Sequence, residues 1–94
     1  MYVILVYDIN LETKEGQKVL RNVFKICKKY LVHIQNSVFE GEISDAQIFA
    51  MKKELSKFIR RDLDSVILFK SRNRRWMNKE FIGKIEDDKT SNFL

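Results

Sequence analysis

The stretch MYVILVYDIN, residues 1–10, places one carboxylate directly behind an unbroken apolar run. The run from Tyr2 to Tyr7 is too short for a buried helix and is rich in β-branched and aromatic side chains, so it predicts a central strand covered on both faces. Asp8 follows at the point where this strand leaves the core. An Asp in such a place commonly forms a turn or caps a helix. In a chain with a net charge of +5, it is also a candidate ligand for Mg²⁺ or Mn²⁺, the hard cations of phosphodiester chemistry.

The length and composition indicate a single domain that spans residues 1–94. A chain of 94 residues has a thin core, which association with a second copy would enlarge. The net charge of +5 favours polyanionic partners. No apolar run approaches the ~20 residues of a membrane span, so we expect a cytoplasmic protein with no membrane partner. Cys27 is the single cysteine, which argues against a disulfide framework and a cysteine metal site.

The segment from Thr13 to Leu31 has a helical period, with apolar residues on one arc of the predicted helix. The opposite arc is cationic and consists of Lys14, Lys18, Arg21, Lys25, Lys28 and Lys29. Like charges four residues apart destabilise a helix by roughly 0.2–0.5 kcal/mol per pair, a repulsion that a bound phosphate backbone would offset. The alternative is an ordinary solvated helix surface.

Val32 to Glu42 reads as extended structure, but neither of its faces is cleanly apolar. It supplies two short strands if the chain reverses sharply within it, although no Gly or Pro before Gly41 marks a turn. Ser44 and Gln47 then form a capping box, which predicts the start of a second amphipathic helix. The stretch DSVILFKS, residues 64–71, predicts a further apolar strand.

A basic cluster follows this strand and consists of Arg72, Arg74 and Arg75, with Trp76 beside it. Such a combination suits phosphate contacts and base stacking, although a solvated hairpin has the same composition. The residues from Trp76 to Gly83 predict a final strand, and residues 84–94 form a polar tail. The element order favours an α+β two-layer sandwich, specifically a ferredoxin-like βαββαβ fold with an extra C-terminal strand.

Several motifs together resemble a known family. Tyr7-Asp8 closes the first strand, QNSVFEG occupies residues 35–41 after the basic helix, and Asp64-Ser65-Val66 opens a later strand. In this order and over nearly the whole chain, they resemble the small CRISPR-associated adaptation nucleases, commonly named CRISPR-associated endoribonucleases. The resemblance implies a ferredoxin-like homodimer that acts with the CRISPR integrase during spacer acquisition. It also implies that residues 84–94 contact the partner protomer.

The same resemblance implies a metal-dependent nuclease that hydrolyses phosphodiester bonds of DNA or RNA. The Asp8 carboxylates of two protomers would flank one Mg²⁺ or Mn²⁺, supported by Tyr7, by a hydrogen bond from Ser37 and by packing or stacking of Phe39. The expected nucleic-acid contacts are Lys14, Lys18, Arg21, Lys25, Arg72, Arg74 and Arg75. Family members often carry arginines where this chain has Lys14 and Lys18, so bidentate phosphate contacts are not expected there.

Two other functions fit the same residues. One is a non-catalytic dimeric DNA-binding adaptor, in which Asp8 is structural and the basic helices lie along a duplex beside the integrase. The other is a toxin-like RNase, or an RNA-binding regulator, of similar fold, which would act without any CRISPR partner. A comparison of Asp8→Asn with the wild type separates the catalytic interpretation from the adaptor.

Overall fold

Strands and helices alternate through residues 1–83, the part of the chain that this computed structural model describes. The expected contact of residues 84–94 with a partner lies outside the described residues. In chain order the elements are β1 (Tyr2–Asp8), α1 (Gly16–Tyr30), β2 (Val32–Gln35), β3 (Val38–Glu42), α2 (Asp45–Ser56), β4 (Ser65–Ser71) and a single 3₁₀ turn (Arg74–Trp76). The predicted βαββαβ order is confirmed.

The strands form one antiparallel sheet in the order β2-β3-β1-β4. The most apolar strand, β1, occupies a central position between β3 and β4, as its composition predicts. Leu5 lies opposite Phe39 on one side and Leu68 on the other, and Asp8 lies opposite Ser65 at the end of the ladder. The sheet therefore places Asp8 at the end of a central strand.

The segment from 32 to 42 reverses at Asn36 and Ser37, which separate β2 from β3. Asn36 has a φ of +42°, in the left-handed region that Asn tolerates better than most residues because its short polar side chain bonds locally. No glycine is needed for this turn. A bulge between His33 and Gln35 shifts the register of β2, which explains why the strand has no clean alternation.

The two faces of the sheet are covered unequally. Val3, Leu5 and Tyr7 point towards the helices and are buried. On the other face, Ile67 and Phe69 of β4 remain 52% exposed. The prediction that β1 is covered on both faces is thus correct for the helical face and, on the other face, for the buried Tyr2 end, whereas Ile4 and Val6 are only partly covered. We call the other surface, at its Asp8 end, the open face; among residues 1–83 no helix covers it.

Helix α1 begins at Gly16 rather than at Thr13, because residues 13–15 form a turn against the loop that follows β1. A Cβ atom at Gly16 would lie 2.4 Å from the Asn10 carbonyl oxygen, so only glycine allows this contact. The predicted capping box of α2 is confirmed, since the Gln47 N–H donates to Ser44 Oγ (3.1 Å) and the Ser44 N–H donates to Gln47 Oε1 (2.9 Å). Neither helix in residues 1–83 is long and apolar enough to cross a membrane.

The prediction of a final strand from Trp76 to Gly83 is wrong. After β4 the side chain of Asn73 accepts a hydrogen bond from the Arg75 N–H (2.9 Å) and caps the 3₁₀ turn, which takes the chain away from the sheet edge. Lys79 then donates to the buried Glu40 carboxylate. This ion pair holds the segment over the Tyr2 end of the sheet, where it forms no ladder.

Candidate active site and nucleic-acid interface

Asp8 is the last residue of β1, and its side chain is exposed. Successive side chains of a strand point to opposite faces, so Asp8 shares the open face with Val6 while Tyr7 points towards the helices. Within residues 1–83 no group donates a hydrogen bond to the Asp8 carboxylate or forms an ion pair with it. Its oxygens are therefore available to an external ligand.

A buried ion pair fixes the chain directly after Asp8. The Asp64 carboxylate is only 7% exposed and accepts from Arg60 Nε (2.8 Å) and Arg60 Nη2 (2.9 Å). It also accepts the backbone N–H groups of Arg60 and Asn10, both at 2.9 Å. Arg60 in turn donates to the Asn10 carbonyl (2.8 Å) and to the Thr13 hydroxyl. We call these four residues the Arg60 clamp.

The clamp favours the charged form of Asp64. Hydrogen bonds from Arg60, more than the opposing burial, lower the pKa of Asp64 to about 2. From the sequence, Asp64 was predicted only to open a strand, and Arg60 was not predicted to have a role. The available signal was the i,i+4 spacing of Arg60 and Asp64 directly before an apolar strand, a spacing that suits a bidentate pair.

Phe39 is fully buried and packs among aromatic rings. Its ring centroid lies 6.0 Å from that of Tyr7, 5.5 Å from that of Phe24 and 4.8 Å from that of His33. Its relative exposure of 0% means that Phe39 supports the end of β1 by packing, and that stacking on a nucleic acid is excluded in this conformation. His33 Nε2 lies 2.8 Å from the Asn36 carbonyl oxygen, which ties this aromatic cluster to the β2–β3 turn.

The turn residue Ser37 also supports the strand end, but through its main chain. The Tyr7 N–H donates to the Ser37 carbonyl oxygen at 3.2 Å. Beside this contact lies a cavity of about 580 Å³ between α1 and the turn, which we call the α1 groove. Its lining consists of Tyr7, Leu20, Arg21, Phe24, Lys25, Asn36 and Ser37. Four residues singled out in the sequence, Tyr7, Arg21, Lys25 and Ser37, therefore meet in one groove.

The expected nucleic-acid contacts separate into two clusters. Lys18, Arg21 and Lys25 are exposed on α1, and Lys14 lies in the turn just before it. Arg72, Arg74 and Arg75 lie at the opposite end of the sheet, because β4 ends where Ser71 pairs with Tyr2. The seven residues of β1 separate the two ends of the sheet by about 20 Å at 3.3 Å per residue. The structure thus does not bring the two clusters together.

The second cluster surrounds a polar network that the sequence analysis missed. Glu40 is 2% exposed and accepts from the Tyr2 hydroxyl and from Lys79. The Arg74 guanidinium lies 5.7 Å from the Tyr2 ring centroid. Burial, and next the hydrogen bond to Glu40, raise the pKa of Tyr2 well above its usual value. The position of Glu40 in a strand gave no sign that its partner would be Lys79, 39 residues later in the chain.

The donor set at Asp8 fits a hard divalent cation only in part. A carboxylate oxygen is the ligand type that Mg²⁺ and Mn²⁺ prefer. Among residues 1–83, however, no three His, Cys, Asp or Glu side chains lie close enough together to hold a metal ion. A metal ion at Asp8 would therefore need ligands beyond those that residues 1–83 supply, for example from a second copy or from the substrate.

Comparisons with known proteins show which family the chain is similar to. The family described as "CRISPR associated protein Cas2" matches residues 1–79. The CRISPR-associated endoribonuclease Cas2 of Fusobacterium nucleatum is 61% identical over 94 residues, which cover 100% of this chain and 87% of that protein. The CRISPR-associated endoribonuclease Cas2 2 of Moorella thermoacetica is 41% identical over 97% of this chain and 99% of its own length. The crystal structure of Streptococcus pyogenes Cas2 at pH 6.5 matches with a TM-score of 0.78 and 35% identity, over 88% of this chain and 100% of that one.

Proposed function

Because the chain belongs to the CRISPR associated protein Cas2 family, we propose that it is an endonuclease of CRISPR adaptation. In this proposal it binds RNA or DNA, cleaves a phosphodiester bond and acts beside the CRISPR integrase. The names of its relatives, CRISPR-associated endoribonucleases, favour RNA as the substrate that is cleaved. The observation that carries the proposal is the Asp8 carboxylate, which is exposed at the end of a central strand and has no partner within residues 1–83.

The active form in this proposal is a homodimer that assembles through the open face. Ile67 and Phe69 expose about half of their surface there, and Ile4 and Val6 of the neighbouring strand are half-buried. An apolar patch on a sheet face is typical of an interface. In a two-fold dimer the same patch faces itself, and an axis that passes beside Asp8 would bring the Asp8 carboxylates of the two protomers together. This arrangement would place a second carboxylate beside that of Asp8.

Each group of residues has a definite part in the proposed reaction. Lys18, Arg21 and Lys25 would hold the phosphate backbone electrostatically, while the Arg60 clamp keeps the end of β1 in place. A Mg²⁺ or Mn²⁺ ion held by the two Asp8 carboxylates would polarise the scissile phosphate and lower the pKa of a bound water. The basic face of α1 and the carboxylate lie at the same end of β1, which allows one strand of nucleic acid to reach both.

The proposal is tested by nuclease assays on the wild type and on Asp8→Asn, each with EDTA and with Mg²⁺ or Mn²⁺, on labelled single-stranded RNA and on duplex DNA. We expect metal-dependent cleavage by the wild type and at least a hundredfold slower cleavage by Asp8→Asn. Asp45→Asn is the matched control, because this exposed Asp lies at the far end of the sheet, and it should cleave at the wild-type rate.

Two further readouts separate the adaptor from the nuclease. Thermal melts should show that the metal stabilises the wild type and has no effect on Asp8→Asn, since ligand binding to the native state raises its stability by mass action. A pull-down with the CRISPR integrase should succeed for both proteins. Integrase binding without cleavage, together with a wild-type melt that is indifferent to metal, would overturn the nuclease and leave the non-catalytic adaptor.

A further inference from the structure

The α1 groove combines two kinds of surface that the proposed function does not by itself require. Tyr7, Leu20 and Phe24 give it an apolar and aromatic lining, and Arg21 and Lys25 add positive charge. Its volume of about 580 Å³ lies within the range of pockets that hold small organic ligands. A site that only held a phosphate backbone would need the two cations and no aromatic wall.

The Tyr7 hydroxyl provides a second observation. Tyr7 is 6% exposed, and its hydroxyl has no hydrogen-bond partner within residues 1–83. No side-chain oxygen of the described residues is both sealed from solvent and unpartnered, so this hydroxyl reaches the surface. Because Tyr7 lines the α1 groove, we expect its hydroxyl to be able to donate to a ligand bound there.

We infer that the α1 groove binds one unpaired nucleobase of a nucleic-acid strand, with the flanking phosphates on Arg21 and Lys25. The partly exposed ring of Phe24 offers the base an aromatic surface, and Asn36 and Ser37 of the β2–β3 turn border the groove on one side. Charge complementarity selects this occupant, because a neutral apolar ligand gains nothing from two cations at the rim. The inference rests on the proposed contact with nucleic acid and adds that the strand is single-stranded at this point.

The position of the groove relative to Asp8 is consistent with this assignment. Tyr7 and Asp8 are consecutive residues whose side chains point to opposite faces of the same strand end. A strand that places a base against Tyr7 therefore passes the edge of the sheet where the Asp8 carboxylate lies. A base bound in the groove would fix the register of the nucleic-acid strand at this edge, whereas phosphate contacts alone do not fix it.

The experiment compares the affinities of three probes by fluorescence anisotropy: a labelled single-stranded oligomer, the same backbone with abasic positions, and the duplex of the same sequence. RNA and DNA versions of each probe distinguish the two sources of the base. We expect the wild type to bind the base-containing single strand more tightly than the abasic one. Phe24→Leu, which keeps apolar volume in the core, should weaken binding of the single strand about 5- to 150-fold and leave abasic and duplex binding unchanged.

Two matched variants make the result specific. Tyr7→Phe keeps the ring and removes only the donor, so it should weaken single-strand binding about 2- to 12-fold. Phe49→Leu removes an aromatic ring that is 71% exposed on α2, away from the groove, and should bind like the wild type. Thermal melts identify any variant that does not fold. For the wild type alone, an oligomer carrying 5-iodouridine should crosslink on irradiation to Tyr7 or Phe24.

The outcomes separate this inference from the function on which it rests. Equal affinity for base-containing and abasic strands, or a crosslink that maps only to Arg72–Trp76 or to Phe49, would overturn the base site while nucleic-acid binding stands. Absence of binding to every probe would overturn both. A groove variant that weakens all probes equally would show that Phe24 acts through the fold and would also overturn the base site.

Discussion

We expect Asp64→Asn to destabilise the protein far more than the neutralisation of an exposed loop carboxylate such as Asp62. Asp64 accepts four hydrogen bonds, two from the Arg60 guanidinium and one each from the backbone N–H groups of Arg60 and Asn10. The change retains the size of the side chain. It removes the charge and turns one acceptor oxygen into a donor that faces other donors.

The structure supplies the magnitude. The pKa of Asp64 falls from an ordinary 3.8 to about 2, a difference that corresponds to about 2 kcal/mol in favour of the charged carboxylate. The hydrogen bonds that the amide cannot make are the ones that lower this pKa, so they add no separate contribution. We therefore expect a loss of at least about 2 kcal/mol, and up to the roughly 3–5 kcal/mol that is typical when one partner of a buried ion pair is removed. In a domain of this size the melting temperature should fall by at least about 8 °C.

Urea unfolding at neutral pH measures the loss, with Asp62→Asn as the control, because Asp62 is exposed and two residues away. The control should stay within about 0.5 kcal/mol of the wild type. The pH dependence gives a second check. Because the folded pKa is lowered, the stabilisation is complete above about pH 4 and is lost as the pH falls through about 2. The gap between the wild type and Asp64→Asn should narrow over that interval.

If Asp64→Asn unfolds at the same urea concentration as Asp62→Asn at neutral pH, the Arg60 clamp does not stabilise the fold in this way. A gap that persists unchanged down to pH 2 would also contradict this stabilisation, because the charge of Asp64 would then not be its source. If the clamp positions Asp8 as well as stabilising the fold, cleavage by Asp64→Asn should fall at temperatures where the variant is fully folded. Binding of duplex DNA should stay at the wild-type level.

Two other predictions concern the surface and the loop beside the clamp. Phe69→Gln should raise the dissociation constant of the proposed homodimer at least tenfold in sedimentation equilibrium, since burial of a Phe side chain contributes about 1.5–3 kcal/mol. Phe49→Gln, on the helical side, is the control and should leave the dissociation constant unchanged. A monomeric wild type would contradict the open-face interface. Gly16→Ala should destabilise the protein by about 1–3 kcal/mol in thermal melts, although alanine is the better helix former. The reason is that its Cβ would lie 2.4 Å from the Asn10 carbonyl oxygen and 2.9 Å from Leu11 Cα. A stabilised variant would show that this contact is not close-packed.

Much of the fold follows from local patterns in the sequence. The apolar run of β1 predicts its central position, and the helical period predicts the buried arc of α1. The Ser44 and Gln47 pair predicts the start of α2 within one residue. These predictions succeed because each depends on residues that are close together in the sequence. The Tyr7-Asp8 motif likewise identified the strand end around which the candidate site lies.

Other features were decided by contacts between distant parts of the chain. The reversal at Asn36 depends on a left-handed conformation that Asn permits without requiring. The segment after β4 leaves the sheet because Lys79 pairs with Glu40, a partner that no local pattern reveals. Trp76 to Gly83 has the composition of a strand, but a strand also needs a neighbouring strand with which it can pair. Here the ion pair between Lys79 and Glu40 holds the segment in a position where it pairs with no strand.

The candidate site shows the same division. The sequence by itself determined which residues are candidates for the chemistry, namely the carboxylate of Asp8, the cations of α1 and the arginines after β4. Only the tertiary structure placed Arg21 and Lys25 beside Tyr7, separated them from the second basic cluster, and joined Arg60 and Asp64 to Asn10 across 50 or more residues. The physical reason is that side-chain identity is local, whereas the distances between side chains are set by how the helices pack on one face of the sheet.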